Sequence, residues 1–206
     1  MATNTRRRIL DMALVLFNAE GEPNITTNRI ADELEISPGN LHYHFRTKPD
    51  LIEALFTEYE HRMLEILSAP DERSADIEDI WFLLHVAFET IGEYRFIYRD
   101  LTDLCERHRG LHQRFRGILR LTMESAGNLC RDLIADCRMR ASQNELDALI
   151  RNVALVSTFW LAFDQVHDVD GVRPDRAAWQ VMSLISPFLV GDAREHLEAL
   201  AEAYDR

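Results

Sequence analysis

Cysteine is scarce: Cys105, Cys130 and Cys137 are three in 206 residues. The odd count and the lack of a Cys-x-x-Cys pair argue against a disulfide framework or a structural zinc site. The three read as reduced thiols packed like small apolar residues. Glycine and proline are also thin, at 8 and 6, which removes collagen-like and low-complexity classes. Nothing reads as a strand ladder, because apolar residues recur at three and four positions rather than two and no Asn-Gly or Asp-Gly turn joins two alternating runs. No apolar run approaches the roughly 18 to 20 residues that cross a bilayer, and the start Met1-Ala2-Thr3-Asn4-Thr5-Arg6 lacks the apolar core of a signal peptide. The expectation is a cytosolic protein with no membrane partner.

Catalytic signatures are missing too. There is no Gly-x-Ser-x-Gly, no phosphate-cradling glycine loop, no Cys-His pair with local context and no His-Glu-x-x-His. Adjacent acids such as Glu78 and Asp79 point to different helix faces and read as exposed charge. No enzyme is implied and no cofactor.

Positive charge is in deficit, with 23 Lys+Arg against 35 Asp+Glu and a formal net charge of −12. The deficit is uneven. Residues 1–48 hold six basic groups (Arg6, Arg7, Arg8, Arg29, Arg46, Lys48) and six acidic ones, so the remainder carries the whole −12. An acidic body repels nucleic acid, which confines any DNA contact to the neutral N-terminal segment.

What is present is helical. At 47% hydrophobic and 28% charged the chain can build one sizeable core, or one small and one medium. A first helix is expected over Thr5 to Glu20, burying Ile9, Ala13, Leu16 and Phe17, with Gly21 as its stop and Pro23 beyond. A second starts at Thr26 or Thr27, where a hydroxyl caps free N–H groups, and buries Ile30, Ala31 and Leu34. After a tight Glu35-Ile36 turn, Ser37 caps a short third helix with Pro38 in its first turn. A fourth starts between Thr47 and Asp50, carries Leu51, Leu55, Tyr59, Met63 and Leu67, and ends at Ser68-Ala69-Pro70. Two helices around a tight turn, the second very short, have the pattern of a helix-turn-helix. Six further amphipathic helices are expected, at about 74–94, 96–106, 112–138, 142–166, 174–189 and 193–204. Breaks are expected near Asp71-Glu72, Arg109-Gly110, Arg140-Ala141, Asp168 to Pro174, and Gly191.

The run from Thr26 to Lys48, TTNRIADELEISPGNLHYHFRTK, gives the short helix a chemical role. Ser37, Pro38, Gly39 and Asn40 stand at its N-terminus, where small residues allow close backbone approach and the helix dipole favours anions. Asn40 offers a donor and an acceptor to a base edge. Thr27, Tyr43, His44 and Lys48 can reach phosphates, which fixes register without reading sequence. Leu34, Ile36, Leu41 and Phe45 read as internal packing of the module.

This segment closely resembles the DNA-binding segment of the tetracycline-repressor (TetR) family, densely over about residues 6–56. The match combines a capping Thr, the Ile-Ala pair, Ser-x-Gly, the His-Phe pair and the following Lys. The resemblance implies an all-α fold, with a DNA-binding domain over 1–48 and an effector-binding and dimerisation domain over 49–206, connected by the helix 48–68. It implies that Thr27, Ser37, Pro38, Gly39, Asn40, Tyr43, His44 and Lys48 meet operator DNA. His42 stands where the family has Tyr, and an imidazole is shorter and can be neutral or charged, which puts the phosphate contact there in question.

Glu93 to Leu101, with Gly21-Glu22-Pro23-Asn24 and Ser37-Pro38-Gly39-Asn40, resembles the branch that includes regulators of polyhydroxyalkanoate metabolism. That implies an apolar acyl effector such as an acyl-CoA or fatty acid. Trp81, Phe82, His85 and Phe88, with Phe96, Phe159, Trp160 and Phe163, fall on helices that surround the effector cavity in the family; each alone also reads as core. The helices 142–166 and 174–189 resemble the pair that forms a four-helix dimer interface. Leu149, Val153, Val156, Val181, Leu184, Ile185, Phe188 and Leu189 repeat there at helical spacing. A two-fold dimer matches a palindromic operator.

Two weaker constellations remain. Cys105, His108 and His112 share a face if their helix is continuous, but lack a fourth metal ligand. Asp164, His167, Asp168 and Asp170 fail the calcium-loop pattern at its twelfth position, which is Trp179, and read as a solvated loop. The resulting expectation is a homodimeric, effector-responsive DNA-binding regulator, a repressor by family habit. The alternative is a helical acyl-ligand-binding protein that has lost DNA binding.

Overall fold

The computed structural model describes residues 2–68, 76–167 and 173–204. Every regular element among them is a helix, and the only pairing of strand type is a bridge between Met139 and Leu189. The described residues divide into two compact units, one of Met1–Arg62 with Tyr94–Phe115 and one of Met63–Glu93 with Arg116–Arg206. This packing division is a different partition from the functional one drawn at residue 48.

The first unit begins with α1 (Ala2–Glu20), which buries Ile9, Ala13, Leu16 and Phe17. Gly21 stops it at φ 93°, a conformation an L side chain rarely adopts. A Cβ there would also stand 3.2 Å from the Asn24 amide and 3.4 Å from the Arg99 guanidinium. A single 3-10 turn, Glu22–Asn24, leads to α2 (Thr27–Glu33), whose Thr26 hydroxyl accepts from the Arg29 N–H. Next come α3 (Pro38–His44) and α4 (Lys48–Leu67). Thr47 and Asp50 cap α4 reciprocally, the Asp50 carboxylate accepting from the Thr47 N–H at 2.9 Å and the Thr47 hydroxyl from the Asp50 N–H at 3.3 Å.

The single helix expected over 96–106 is two, α6 (Arg95–Arg99) and α7 (Leu101–Arg107), parted at Asp100. The cause is a partner far away in sequence. The Asp100 carboxylate accepts from the Glu22 N–H at 3.2 Å instead of capping its own helix. Neighbouring groups tie α6 to α1: the Phe96 N–H donates to the Asn18 side chain at 3.0 Å, and Arg99 donates to the carbonyls of Phe17 and Asn18 in the last turn of α1. Gly110 does not break the chain as expected. It lies in the first turn of α8 (Arg109–Ala135), where its N–H needs no intrahelical partner, and the break falls at His108. Arg114, near the start of α8, bonds Glu53, Thr57 and Glu60 of α4 and lies over the Phe56 ring.

In the second unit α5 (Ile77–Glu93) packs against α10 (Pro174–Ile185) and α11 (Asp192–Tyr204), and α10 packs against α9 (Gln143–His167). Asp79 is no idle surface charge: it exchanges capping hydrogen bonds with Asp76 at the start of α5. The helix expected to reach Leu189 stops at Ile185, because Pro187 has no N–H and would clash with the preceding turn; a 3-10 turn, Ser186–Phe188, follows. Gly191, at φ 62°, separates it from α11 as expected.

Two absences read from the sequence need correction. Helix α9 is long and apolar enough, by length and composition, to cross a membrane; a third of that stretch is buried in the fold. Its few charges are diluted by apolar residues on every side, so no uninterrupted run betrays it. Cys137 is not packed like an apolar residue either. It is exposed at φ 58° just after α8, whereas Cys130 is buried and its thiol is pushed up to about 11 by desolvation.

Candidate nucleic-acid interface

Helices α2 and α3 are joined by Leu34, Glu35 and Ile36. The turn closes through the Ile36 N–H donating to the Ala31 carbonyl at 3.0 Å, with Glu35 in the left-handed region at φ 54°. Ile30, Ala31, Leu41 and Phe45 supply the buried side of this module; Leu34 and Ile36, expected to pack with them, are only half-buried. Burying Leu41 and Phe45 leaves the rest of α3 outward. Ser37, Pro38, Gly39, Asn40, His42 and Tyr43 are exposed, Tyr43 to 80%, while Thr27 and His44 are half-buried.

Ser37 caps α3, its hydroxyl accepting from the Asn40 N–H at 3.2 Å. A Cβ on Gly39 would meet only that hydroxyl, at 4.0 Å. No internal contact therefore demands glycine there, and its missing side chain opens the outer surface of the helix N-terminus to close approach. Tyr43 meets His44 edge-on at 5.1 Å between centroids. The His42 ring turns back on its own helix end, Nδ1 donating to the Arg46 carbonyl at 3.2 Å.

The basic groups of this segment are largely engaged. Arg7 binds Glu58 and Asp11, Arg29 pairs with Glu33 at 2.7 Å, and Arg6 lies over the Phe45 ring at 4.8 Å. Lys48 lies inward as well, its Nζ donating to the Glu22 carbonyl at 2.6 Å and standing 2.8 Å from the Glu22 carboxylate. The sequence pattern assigns Lys48 to a phosphate and Glu22 only to the Gly21-Glu22-Pro23-Asn24 motif. Glu22 is completely buried, a signal visible only once α1, α4 and α7 are seen to enclose it.

The other expected sites are more scattered. Phe96 is buried in the first unit against Phe17, with ring centroids 5.4 Å apart, whereas the other seven aromatic and histidine positions belong to the second unit. Of those, Trp81 and Phe88 are buried, His85 and Trp160 half-buried, and Phe82, Phe159 and Phe163 exposed. Trp81 meets His85 at a tilt, and Trp160 meets Phe163, which stacks on His167. A cavity of about 490 Å³ opens instead beside the connection from α8 to α9, lined by Ile134, Cys137, Met139, Arg140, Ser142 and Glu145 among others.

Among the expected interface positions, Leu149, Val153, Val181, Ile185 and Leu189 are buried within the chain and Val156, Leu184 and Phe188 half-buried. Leu155, Phe159, Phe163 and Val166 form an exposed apolar stripe on another face of α9. No group of three or more metal-ligating side chains occurs among the described residues. Asp164, expected in a solvated cluster, is buried in α9; Asp168 and Asp170 lie outside the described residues.

A capped, outward-facing second helix behind a tight turn, in an all-helical chain, defines a helix-turn-helix DNA-binding protein. Residues 9–55 match the family described as bacterial regulatory proteins, tetR family, and residues 58–197 match one described as bacterial transcriptional repressor. The chain belongs to the TetR family of transcriptional regulators, which are DNA-binding proteins and not enzymes. It is similar to the crystal structure of a TetR-family transcriptional regulator from Marinobacter aquaeolei VT8, with TM-score 0.89 and 37% identity over 97% of this chain and 98% of that one. It is 35% identical to the uncharacterized HTH-type transcriptional regulator TtgW of Pseudomonas putida over 42% of this chain and 61% of that protein. Over 24% of its length it is 50% identical to an HTH-type transcriptional regulator of Staphylococcus aureus, matching 27% of that protein. The chain thus spans less than two thirds of these curated relatives.

Proposed function

We propose that the protein is a homodimeric repressor that reads a palindromic operator through α3 and responds to an apolar effector. The observation that carries the DNA reading is the α3 N-terminus. Ser37, Pro38, Gly39 and Asn40 are all exposed, with the helix dipole behind them and no internal contact that needs the glycine. Asn40 reads a base edge, and Thr27, Tyr43, His44 and Lys48 hold phosphates. With Arg6, Arg7 and Arg29 engaged internally, few cations remain to displace counterions, so the salt dependence is shallow for a dimer.

The exposed stripe of Leu155, Phe159, Phe163 and Val166 supports a second copy as its cover, and a two-fold pair suits the successive major grooves of a palindromic site. Effector binding belongs to the second unit, where Trp81, His85, Phe88 and Trp160 offer apolar and aromatic surface. The buried indole Nε1 of Trp160 donates to no group among the described residues, which suits an acyl carbonyl. A protein of this kind works in the bacterial cytoplasm beside the chromosome.

The test is a mobility shift of the protein on its own upstream DNA, titrated with salt and with acyl-CoAs and fatty acids. Specific, salt-sensitive binding released by one of these compounds is expected. Absence of salt-sensitive binding to any DNA would refute the reading and favour the ligand-binding bundle.

A further inference from the structure

The Glu22 carboxylate is shut away from solvent and holds two cations. One oxygen accepts from the Arg107 guanidinium, and the other faces the Lys48 ammonium at 2.8 Å. The ammonium gives its best-aligned hydrogen bond to the Glu22 carbonyl at 2.6 Å, so it meets the carboxylate as a charge. Its side chain keeps 23% exposure, so Lys48 is not sealed in as Glu22 is. Arg107 is anchored from behind by Asp103, which accepts from Nε at 2.8 Å and from Nη2 at 2.6 Å. The same turn is held through the Glu22 N–H, which donates to Asp100.

A buried carboxylate stripped of every cation is strongly unfavourable, so Glu22 must keep at least one. While Arg107 is in place that requirement is met by an immobile partner, and Lys48 can swing outward without stranding the charge. Without Arg107, Lys48 becomes the sole counter-ion and is confined.

We infer that Arg107 is a positioning residue for DNA binding, which acts through Glu22 to leave Lys48 available to a backbone phosphate. This rests on the reading of Lys48 as a phosphate contact. It makes the seating of α7 against the 3-10 turn a determinant of operator affinity at a residue that never touches DNA.

The experiment measures affinity for a short duplex recovered by selection from random sequence, between about 50 and about 200 mM salt, for wild type, Lys48→Gln, Arg107→Gln, Arg107→Lys, Glu22→Gln and the double variant Glu22→Gln/Arg107→Gln. One phosphate contact contributes about 0.9 to the slope of log affinity on log salt, so Lys48→Gln should lower the slope by about 1.8 per dimer. Arg107→Gln should lower it nearly as far with Lys48 still present, Arg107→Lys should retain it, and the double variant should regain it. A purely structural role for Arg107 predicts an equal or larger loss in the double variant and would overturn the inference, as would a wild-type slope in Arg107→Gln or Lys48→Gln.

A second readout needs no DNA. Lys48 is the only lysine in the chain, so acylation of the single ε-amine, followed by peptide mass, reports its release directly. Its rate should fall in Arg107→Gln and rise in Glu22→Gln, and equal rates in folded protein would overturn the inference. A flat salt dependence in wild type would overturn the DNA reading itself and this inference with it; a wild-type slope shared by Arg107→Gln would overturn this inference alone.

Discussion

If the proposed dimer closes over the α9 stripe, truncating Phe159 to Ala should weaken it while leaving the monomer folded. The stripe on α9 exposes 56% of Leu155, 45% of Phe159, 55% of Phe163 and 90% of Val166. Fully burying one such side chain contributes about 1.5–3 kcal/mol, so covering what remains exposed contributes about 5 kcal/mol per protomer and about 10 per symmetric pair. Association costs on the order of 4–15 kcal/mol, so the stripe is comparable with the whole cost and every member of it matters. Phe159 accounts for about 1 kcal/mol on each side. Its loss should weaken the dimer by about 2 kcal/mol, roughly thirtyfold in dissociation constant. Phe159→Glu combined with Phe163→Glu should give monomers at micromolar concentration, since two carboxylates would be buried against their own copies.

Sedimentation velocity across a concentration series measures this, with thermal unfolding as the control. The buried face supplies the contrast: Leu149→Ala should destabilise the monomer by about 2–5 kcal/mol through a cavity. If the Phe159 and Phe163 variants dimerise like wild type while Leu149→Ala dissociates without unfolding, the stripe is not the interface and the reasoning fails.

Three further outcomes are expected. Asn40→Ala should relax base selectivity by about 1–3 kcal/mol in a selection experiment while leaving the salt slope unchanged; a uniform, sequence-blind loss would show that Asn40 reads no base. Glu35→Gly should raise stability by about 0.5–1 kcal/mol in denaturant titration, because it relieves the left-handed conformation at φ 54°; a loss of stability would refute that. The Tyr59 and Tyr98 hydroxyls are buried against each other, and burial raises both phenols above their usual range. A raised folded value means stability is fully present below the unfolded value near about 10 and is lost as pH climbs beyond it, so unfolding free energy should fall above about pH 10. Either Tyr→Phe change alone should cost about 1–3 kcal/mol by orphaning the remaining hydroxyl, and the double change should cost less than the sum; additive losses would show the pair is uncoupled.

The helix-turn-helix was legible because its signals are local: Thr26 and Ser37 cap the helices they precede, Gly21 ends α1, and Leu41 and Phe45 repeat at helical spacing. Residues far apart in sequence were not. Asp100 breaks a helix that periodicity would continue, because its carboxylate serves a backbone N–H 78 residues earlier. The dimer positions read from periodicity mostly belong to the face that α9 and α10 already bury, with Leu149, Val153 and Val181 at 5% exposure or less. Apolar spacing marks that a helix has a buried side without saying which neighbour buries it. Lys48 was visible as a cation, but Glu22 reads as an ordinary surface acid until the turn that encloses it is built.

The first unit is discontinuous in the chain, and its bond from Arg107 to Glu22 spans 85 residues. During synthesis the recognition helix is made before α6 and α7 exist. At about 5–20 residues per second, translation from residue 62 to residue 107 takes roughly 2 to 9 seconds, during which Asn18 lacks the Phe96 N–H and Glu22 has Lys48 but neither Asp100 nor Arg107. The DNA-reading head is therefore completed only after more than half the protein has been made. On the proposed role of Arg107, a nascent or prematurely ended chain carries the reading helix with Lys48 held as the sole counter-ion of Glu22, and binds DNA more weakly than the finished regulator.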